Sequence, residues 1–135
     1  MGYLFNGKFE KALYKFKESR VIFESVFGKT HQSSAQISNS LGCTYLNMGK
    51  HKQALKNFEE CLAIKKITLG KMHPDFLTTL SNIGSTYWYM GKYEESLNIL
   101  KECLVRQESI VGKTHPYYAR TLSNIANNLL DKGRH

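Results

Sequence analysis

A block of residues returns every 42 positions along this chain. It begins with Gly-Lys-Phe-Glu at Gly7, returns at Gly49 and Gly91, and leaves a partial last copy at Gly133. A fixed period in this range indicates stacked supersecondary units rather than one globule around a central site. Proteins of this kind usually act by presenting a long surface to a partner. A second marker, Gly-Lys-x-His, keeps the same spacing and begins at Gly28, Gly70 and Gly112.

Each repeat predicts two helices. Apolar residues recur at three- and four-residue steps, as at Leu77, Leu80, Gly84 and Tyr87, which is the pattern of a helix with one buried face. No alternating strand pattern of useful length occurs, so the sequence predicts an all-α fold of antiparallel helix pairs without a sheet. The first helices are predicted over residues 32–48, 74–90 and 116–132, and the second over 50–69, 92–111 and, in an N-terminal copy, about 8–27.

Prolines, histidines and glycines mark the ends of these helices. Pro74 and Pro116 stand where first helices begin, because a proline at the first helical position loses no hydrogen bond. The histidine at each of these entrances is expected to cap the helix or pack against it. Glycine supplies the left-handed conformation that commonly ends a helix. The predicted ends are Gly49, Gly91 and Gly133 for the first helices, and Gly28, Gly70 and Gly112 for the second.

The second repeat carries the pattern of a known family. Leu41-Gly42-x-x-Tyr45 is followed by Gly49 and then by Ala54-x-x-x-Phe58. Together with Gly-Lys-x-His-Pro and Leu-Ser-Asn-Ile, this resembles the tetratricopeptide repeat of the kinesin-light-chain type, whose unit is longer than the usual length of about 34 residues. The resemblance covers essentially the whole chain. It implies a right-handed superhelical solenoid of antiparallel helix pairs.

The repeat also predicts how the chain is divided. We expect residues 1–135 to form a single array, with repeats at 32–73 and 74–115 and partial repeats at 1–31 and 116–135. Tyr3 is the counterpart of Tyr45, so Met1 falls midway through a first helix and the chain is expected to be cut from a longer array. Because each repeat buries its apolar face on its neighbours, both ends should leave apolar surface. We therefore predict end-to-end self-association.

Charge and composition bound the possible partners. The formal net charge is +8, which permits an acidic partner or nucleic acid, but acidic residues interleave with the lysines as on solvated helix faces. There is neither an apolar run long enough to span a membrane nor a signal peptide, so we expect a soluble, cytoplasmic protein without a membrane partner. The three cysteines, Cys43, Cys61 and Cys103, show no CxxC spacing and are expected to be buried, reduced thiols.

Two motifs that suggest chemistry are rejected. Gly28-Lys29-Thr30 and Gly112-Lys113-Thr114 resemble the end of a phosphate-binding loop, but Phe23 and Gln107 stand where that loop needs a glycine. The three histidines of the second marker lie one repeat apart, which does not bring ligands together around one metal ion. No catalytic set of residues recurs. We expect no enzyme activity, no metal site and no cofactor.

The family resemblance places the first helix of each pair along a concave groove. By position, this lining is rich in Asn and Ser and poor in charge, and an amide side chain offers both a donor and an acceptor to a peptide backbone. Trp88 is expected either to stack on the ligand or to pack against the adjacent repeat. The predicted ligand-groove residues are Asn39, Ser40, Asn47, Ser81, Asn82, Ser85, Trp88, Tyr89, Arg120, Asn124 and Asn127.

These observations favour a non-catalytic module that binds an extended peptide or protein segment in its groove. Because Arg120 is the only basic residue of the predicted lining, binding along the side of a segment is preferred over capture of a C-terminal carboxylate. Two alternatives remain open. The chain could be the scaffold or sensor region of a larger multidomain protein, or it could bind nucleic acid through its basic outer surface.

Overall fold

The computed structural model describes the backbone of residues 2–133 and the side chains of residues 7–133. The described part is helical and contains no strand, so the predicted all-α fold is confirmed. Short turns join successive helices. The helices are α1 (Gly2–Phe27), α2 (Gln32–Asn47), α3 (His51–Thr68), α4 (Pro74–Tyr89), α5 (Tyr93–Val111) and α6 (Pro116–Gly133).

Histidine caps the beginning of α2, α4 and α6. In each case the imidazole Nδ1 accepts a hydrogen bond from the backbone N–H two residues later, at 3.1 Å for His31, 3.0 Å for His73 and 3.1 Å for His115. The first N–H groups of a helix have no partner within the helix, so a side-chain acceptor stabilises that end. This confirms the predicted capping role.

Glycine ends α2 and α4 with one repeated geometry. Gly49 and Gly91 both have φ of 76°, in the left-handed region that favours glycine. The next backbone N–H then reaches back to the carbonyl five residues earlier, at 2.9 Å from Lys50 to Tyr45, and the N–H of Gly49 reaches Leu46 at 3.0 Å. These two bonds satisfy carbonyls that the helix leaves open. The turn brings the next helix back antiparallel to the one it follows.

The N-terminal boundary differs from the prediction. The sequence predicts a second helix over about 8–27, preceded by part of a first helix, but α1 runs without interruption from Gly2 to Phe27. A glycine inside a helix costs only about 1 kcal/mol relative to alanine, which a continued helix tolerates.

The C-terminal boundary is only partly described. The helix α6 still includes Gly133, the residue predicted to end it. The residues that would show the turn, 134 and 135, lie outside the described part of the chain.

The chain forms two compact units, residues Met1–Thr68 and Leu69–His135. In the first unit, α2 packs on α3 around Leu41, Ala54 and Phe58, which are completely buried. Full burial of one such large apolar side chain contributes about 1.5–3 kcal/mol.

The second unit repeats this arrangement with α4, α5 and α6. Leu100 and Ser96 of α5 occupy the positions of Phe58 and Ala54, and both are buried. The Ser96 hydroxyl donates to the Gly84 carbonyl at 2.7 Å, so this buried polar group has a partner. Here α5 packs against both α4 and α6.

Candidate functional site

Polar residues of α4 and α6 line a cavity of about 250 Å³ in the second unit. Five of the predicted groove residues contribute to it. Ser81, Asn82 and Ser85 come from α4, while Arg120 and Asn124 come from α6. We call this the Arg120 cavity. Its remaining lining consists of Pro74, Leu77, Thr78, Gln107, Ile110, Val111, Tyr117 and Thr121.

A second cavity of about 140 Å³ adjoins the first and shares Ser85 and Asn124 with it. We call it the Trp88 cavity. Three more predicted groove residues, Trp88, Tyr89 and Asn127, line it. The rest of its lining consists of Ser96, Leu100 and Asn128. All eight groove residues predicted on α4 and α6 therefore line one of two connected cavities.

The amides along this surface are accessible to different degrees. Asn82 and Asn124 are half-buried, and Asn127 is exposed. Asn82 and Asn124 occupy equivalent positions one repeat apart, on helices that lie on the two sides of the Arg120 cavity. A chain segment lying across this cavity would meet two amide side chains that each offer a donor and an acceptor.

Trp88 packs against the adjacent repeat and also lines the Trp88 cavity. Its indole Nε1–H donates to Asp131 Oδ2 on α6 at 2.7 Å, so the ring is tied to the first helix of the next repeat. It also lies edge-on against Tyr89, with 4.9 Å between the ring centroids. The half-buried indole still lines the cavity, and the pairing with Asp131 holds it in one position.

Three buried polar residues near the cavities were not predicted as part of the site. Thr121 donates to the Gln107 side chain at 2.7 Å at the floor of the Arg120 cavity. Asn128 is 1% exposed and donates through Nδ2 to Ser96 Oγ at 2.6 Å. Asn128 was not predicted as a site residue because the helical pattern places it on the buried face of α6. The signal that was available is a break in the repeat, because the equivalent positions hold threonine, Thr44 and Thr86.

The groove residues predicted on α2 lie in the first unit. Asn39 and Ser40 are half-buried, and Asn47 is exposed. None of the three lines the cavity of about 430 Å³ described in that unit. That cavity is formed instead by Arg20, Glu24, Lys29, Ser34, Ser38, Glu60, Ala63 and Ile64.

The cysteines separate into two kinds. Cys61 and Cys103 are completely buried, as predicted, but Cys43 is exposed on α2, so the prediction that all three are buried was wrong. The helical stripe that buries Leu41, Gly42 and Tyr45 turns the intervening position outward. Burial raises the pKa of Cys103 to about 12, with a smaller raising effect of Glu102 and an opposing effect of Arg106. Partial burial, and then Cys61, raise the pKa of Cys43.

Raised pKa values keep these thiols protonated near neutral pH, which makes them poor nucleophiles. Within the described residues, no group of three or more His, Cys, Asp or Glu side chains is arranged to hold a metal ion. Among the same residues, no helix is long and apolar enough to cross a membrane. The side chains that line the surface on α4 and α6 offer hydrogen bonds through their amide and hydroxyl groups and aromatic contact through Trp88 and Tyr89.

The repeat geometry agrees with comparisons to known proteins. A family model for the tetratricopeptide repeat matches residues 1–67 and 75–135. The chain belongs to the tetratricopeptide repeat family. Repeats of this family are scaffolds for protein–protein interaction and are typically non-catalytic. No protein with a curated description matches the sequence significantly.

Solved structures share the fold of this chain. A Podosopora anserina protein described as a putative kinesin light chain with nearly identical repeats has 21% identity to this chain. It superposes with a TM-score of 0.80 over 96% of this chain and 62% of its own, and a point variant of the same protein gives 0.81 over 96% and 61%. BtubC (BKLC) from P. vanneervenii gives 0.84 at 17% identity, over 98% and 54%. The chain thus spans between about half and two thirds of these neighbours, and they establish its fold as a helical solenoid.

Proposed function

We propose that the surface between α4 and α6 binds an extended segment of a partner protein. The observation that carries the proposal is the convergence of Ser81, Asn82, Ser85, Arg120 and Asn124 on one cavity, next to the aromatic wall of Trp88 and Tyr89. A surface of mostly uncharged polar groups with a tethered indole suits a peptide backbone.

The binding mode follows from the spacing of the amides. Asn82 and Asn124 would pair with donors and acceptors of the segment's backbone, while Asn127 extends the amide row one turn along α6. Among the described residues that line either cavity, Arg120 is the only basic one, which favours contact along the side of a segment over capture of a terminal carboxylate. Asn39, Ser40 and Asn47 of α2 stay predicted groove residues.

The first test is a selection from a display library of short peptides, followed by affinity measurement on variants. We expect the double substitution Asn82→Ala and Asn124→Ala to weaken the selected peptide at least about tenfold. The reason is that each lost hydrogen bond costs about 0.5–1.5 kcal/mol, and about 1.4 kcal/mol corresponds to a factor of ten. Helicity should be unchanged, because both side chains are only half-buried.

The matched control is Lys52→Gln with Lys56→Gln, on exposed positions of α3. This pair should leave peptide affinity unchanged. If the lysine pair abolishes binding and the asparagine pair does not, binding through the basic surface replaces binding at α4 and α6. Nucleic acid would then be the partner to test, through the salt dependence of its affinity.

A second candidate property is end-to-end self-association, and exposed apolar positions support it. Positions on α6 whose counterparts are buried in other repeats are open. Leu129 is 54% exposed where Tyr45 is 9% exposed, and Leu122 is 45% exposed where Leu80 is 8% exposed. On α1, Ile22 is 58% exposed, whereas its counterpart Ile64 is 8% exposed.

The helix α6 corresponds to the first helix of a repeat, and α1 corresponds to the second helix. We therefore propose that the exposed face of α6 in one copy packs on the exposed face of α1 in a second copy. Such a head-to-tail contact uses two different surfaces and produces rings or open chains. Leu122→Asn with Leu129→Asn should lower the average mass seen by light scattering at high concentration. Val105→Asn, at a 67% exposed position of α5, should not. A wild-type chain that stays monomeric at all concentrations would contradict this contact.

Two further predictions concern the setting of this function. A cytoplasmic location stays a prediction from the sequence, as does a role as the scaffold or sensor region of a larger protein. Both are compatible with the peptide-binding surface proposed above.

A further inference from the structure

The floor of the Arg120 cavity carries a largely buried amide with one unpaired end. Gln107 of α5 is 8% exposed and lines the cavity together with Ile110 and Val111 of the same helix. Thr121 Oγ1 donates to Gln107 Oε1 at 2.7 Å. The other polar atom of the amide, Nε2, has no hydrogen-bond partner among the described residues. Such a group is rare in a protein interior and points to a partner from outside the chain.

The unpaired end of this amide can be reached from the cavity. Among the side-chain atoms of the described residues, only Asn128 Oδ1 is both fully enclosed and unpaired. Since Gln107 Nε2 is unpaired as well, it is not fully enclosed. Gln107 is otherwise buried and lines the Arg120 cavity, so the surface that it keeps faces that cavity.

The unpaired end exists whichever way the amide is turned. With Oε1 toward Thr121, the threonine hydroxyl donates to it and Nε2 remains as a free donor. With the amide reversed, Nε2 would donate to Thr121 Oγ1, whose own proton has the Tyr117 carbonyl at 3.2 Å. Oε1 would then remain as a free acceptor. The cavity therefore receives one open end of the amide in either case.

The repeat does not require a glutamine at this position. The equivalent residues one and two periods earlier are Lys65 and Phe23. Thr121 does not require it either, because the Tyr117 carbonyl within its own helix also accepts from its hydroxyl. A buried polar side chain that neither the repeat nor its partner needs is a candidate for recognition of a ligand.

The depth of Gln107 indicates that a side chain reaches it. The helix α5 packs against both α4 and α6 and closes the cavity from behind. Asn82 and Asn124, on the two walls, are half-buried, whereas Gln107 is buried. A segment whose backbone lies at the two asparagines would therefore meet Gln107 with a side chain.

The cavity lining favours an uncharged polar tip on that side chain. Among the described lining residues none is acidic, so a cationic tip finds no counter-ion. The one basic residue, Arg120, is exposed, with its guanidinium 5.9 Å from the centre of the Tyr117 ring. An apolar tip would displace water from the Gln107 amide without replacing the hydrogen bond.

A carboxamide has the matching chemistry. It carries two N–H donors and an acceptor oxygen, so it pairs with Gln107 in either orientation of that amide. Its remaining groups can pair with the hydroxyl and amide groups of the walls, such as Ser81 and Asn124. A hydroxyl has a single proton and satisfies fewer of these groups.

We infer that the Arg120 cavity is a specificity pocket for a glutamine or asparagine side chain of the bound segment, with the Gln107 amide as its contact at the floor. This inference deepens the proposed function and rests on it for the segment. It gives the groove a residue preference, which hydrogen bonds from Asn82 and Asn124 to a backbone do not supply.

The first test uses two small probes of the same shape. Propionamide has the side-chain structure of glutamine, and propionate has a carboxylate in place of the amide. Each is titrated into the isotope-labelled full chain, and the side-chain N–H signals of Gln107 are followed by NMR. We expect a saturable shift with propionamide and none with propionate. No shift with propionamide, or a larger shift with propionate, would overturn the inference.

Gln107→Met is the informative variant, because it keeps the length and the apolar stem of the side chain and removes the amide. Followed at the Asn124 side chain, it should bind propionamide about twofold to tenfold more weakly, the range that one net hydrogen bond supplies. Gln53→Met, the same change at an exposed position of α3 outside both cavities, should bind it as the wild type does. Undiminished affinity in Gln107→Met contradicts the pocket.

The second test reads the preference in the peptides selected from the display library. We expect glutamine or asparagine at one fixed position of these peptides. Replacing that residue by methionine should weaken binding to the wild type more than binding to Gln107→Met, because the two amides form one contact. Selected peptides without such a position would contradict the pocket.

The two proposals fail separately. If propionamide binding depends on Gln107 but the library yields no peptide, the pocket stands and the groove function falls. If a peptide is selected and depends on Asn82 and Asn124, but propionamide binding does not depend on Gln107, the groove function stands and the pocket falls.

Discussion

At the residue scale, each of the two central repeats packs a glycine of its first helix against a side chain of its second helix, and that side chain differs between the repeats. Gly42 lies against Phe58, and an added Cβ on Gly42 would come within 2.6 Å of a Phe58 ring atom. Gly84 occupies the equivalent position against Leu100, where an added Cβ would lie 3.3 Å from the nearest atoms. The close approach of Phe58 therefore requires glycine at position 42. At position 84 the nearest atoms are farther away, so glycine is preferred there but not required.

This difference predicts unequal responses to alanine. Gly42→Ala should lower the free energy of unfolding by about 1–2 kcal/mol, because crowding in a filled core outweighs the gain of about 1 kcal/mol in helix propensity. For Gly84→Ala the same gain offsets a contact that needs only a shift of a few tenths of an ångström. Its stability should stay within about 0.5 kcal/mol of wild type. Urea unfolding followed by circular dichroism measures both.

The repeat itself supplies the control for this comparison. Phe58→Leu gives the second repeat the residue that the third repeat holds at position 100. In that background, Gly42→Ala should cost no more than Gly84→Ala does in the wild type. Equal destabilisation by the two alanines in the wild-type chain would show that the Phe58 ring does not set the requirement.

Also at this scale, the sequence predicted the histidine caps but not the site asparagine. The caps follow from a residue that recurs in the same place before three helices, each time with its Nδ1 on a backbone N–H. Asn128 is informative because it departs from the repeat, and periodicity predicts only what is repeated. Its hydrogen bond is to Ser96, 32 positions away, and no local pattern contains that contact.

At the element scale, the sequence located the helices well wherever a turn is closed by its own hydrogen bonds. The ends of α2 and α4 are set by Gly49 and Gly91 and the bonds around them, all of which are local. The same glycine at Gly7 does not end α1, because a glycine permits a turn and does not impose one.

The amphipathic pattern of α6 also predicts only part of what the structure shows. Its apolar positions follow the stripe of α2 and α4, so the sequence predicts one buried face. The structure buries the side toward α5, including Thr121 and Asn128, and leaves Leu122 and Leu129 open. Periodicity shows that a face is apolar, but the arrangement of neighbours decides whether it is covered.

At the scale of the whole molecule, charge and candidate site are unevenly distributed along the chain. Eleven of the 19 lysines and arginines, but only five of the 11 acidic residues, lie within residues 1–68. The cavities formed by predicted groove residues belong to the second unit and contain one basic side chain, Arg120. Peptide binding between α4 and α6 and binding through basic charge therefore predict contacts in different units.

The central claim is that an extended protein segment binds between α4 and α6. Titration of the isotope-labelled chain with the selected peptide, followed by NMR chemical shifts, tests it most directly. We expect the largest changes at the side-chain amides of Asn82 and Asn124 and at the Trp88 indole, with little change at the exposed lysines of α3. Changes confined to α1 and α3, with α4 and α6 unaffected, would contradict it.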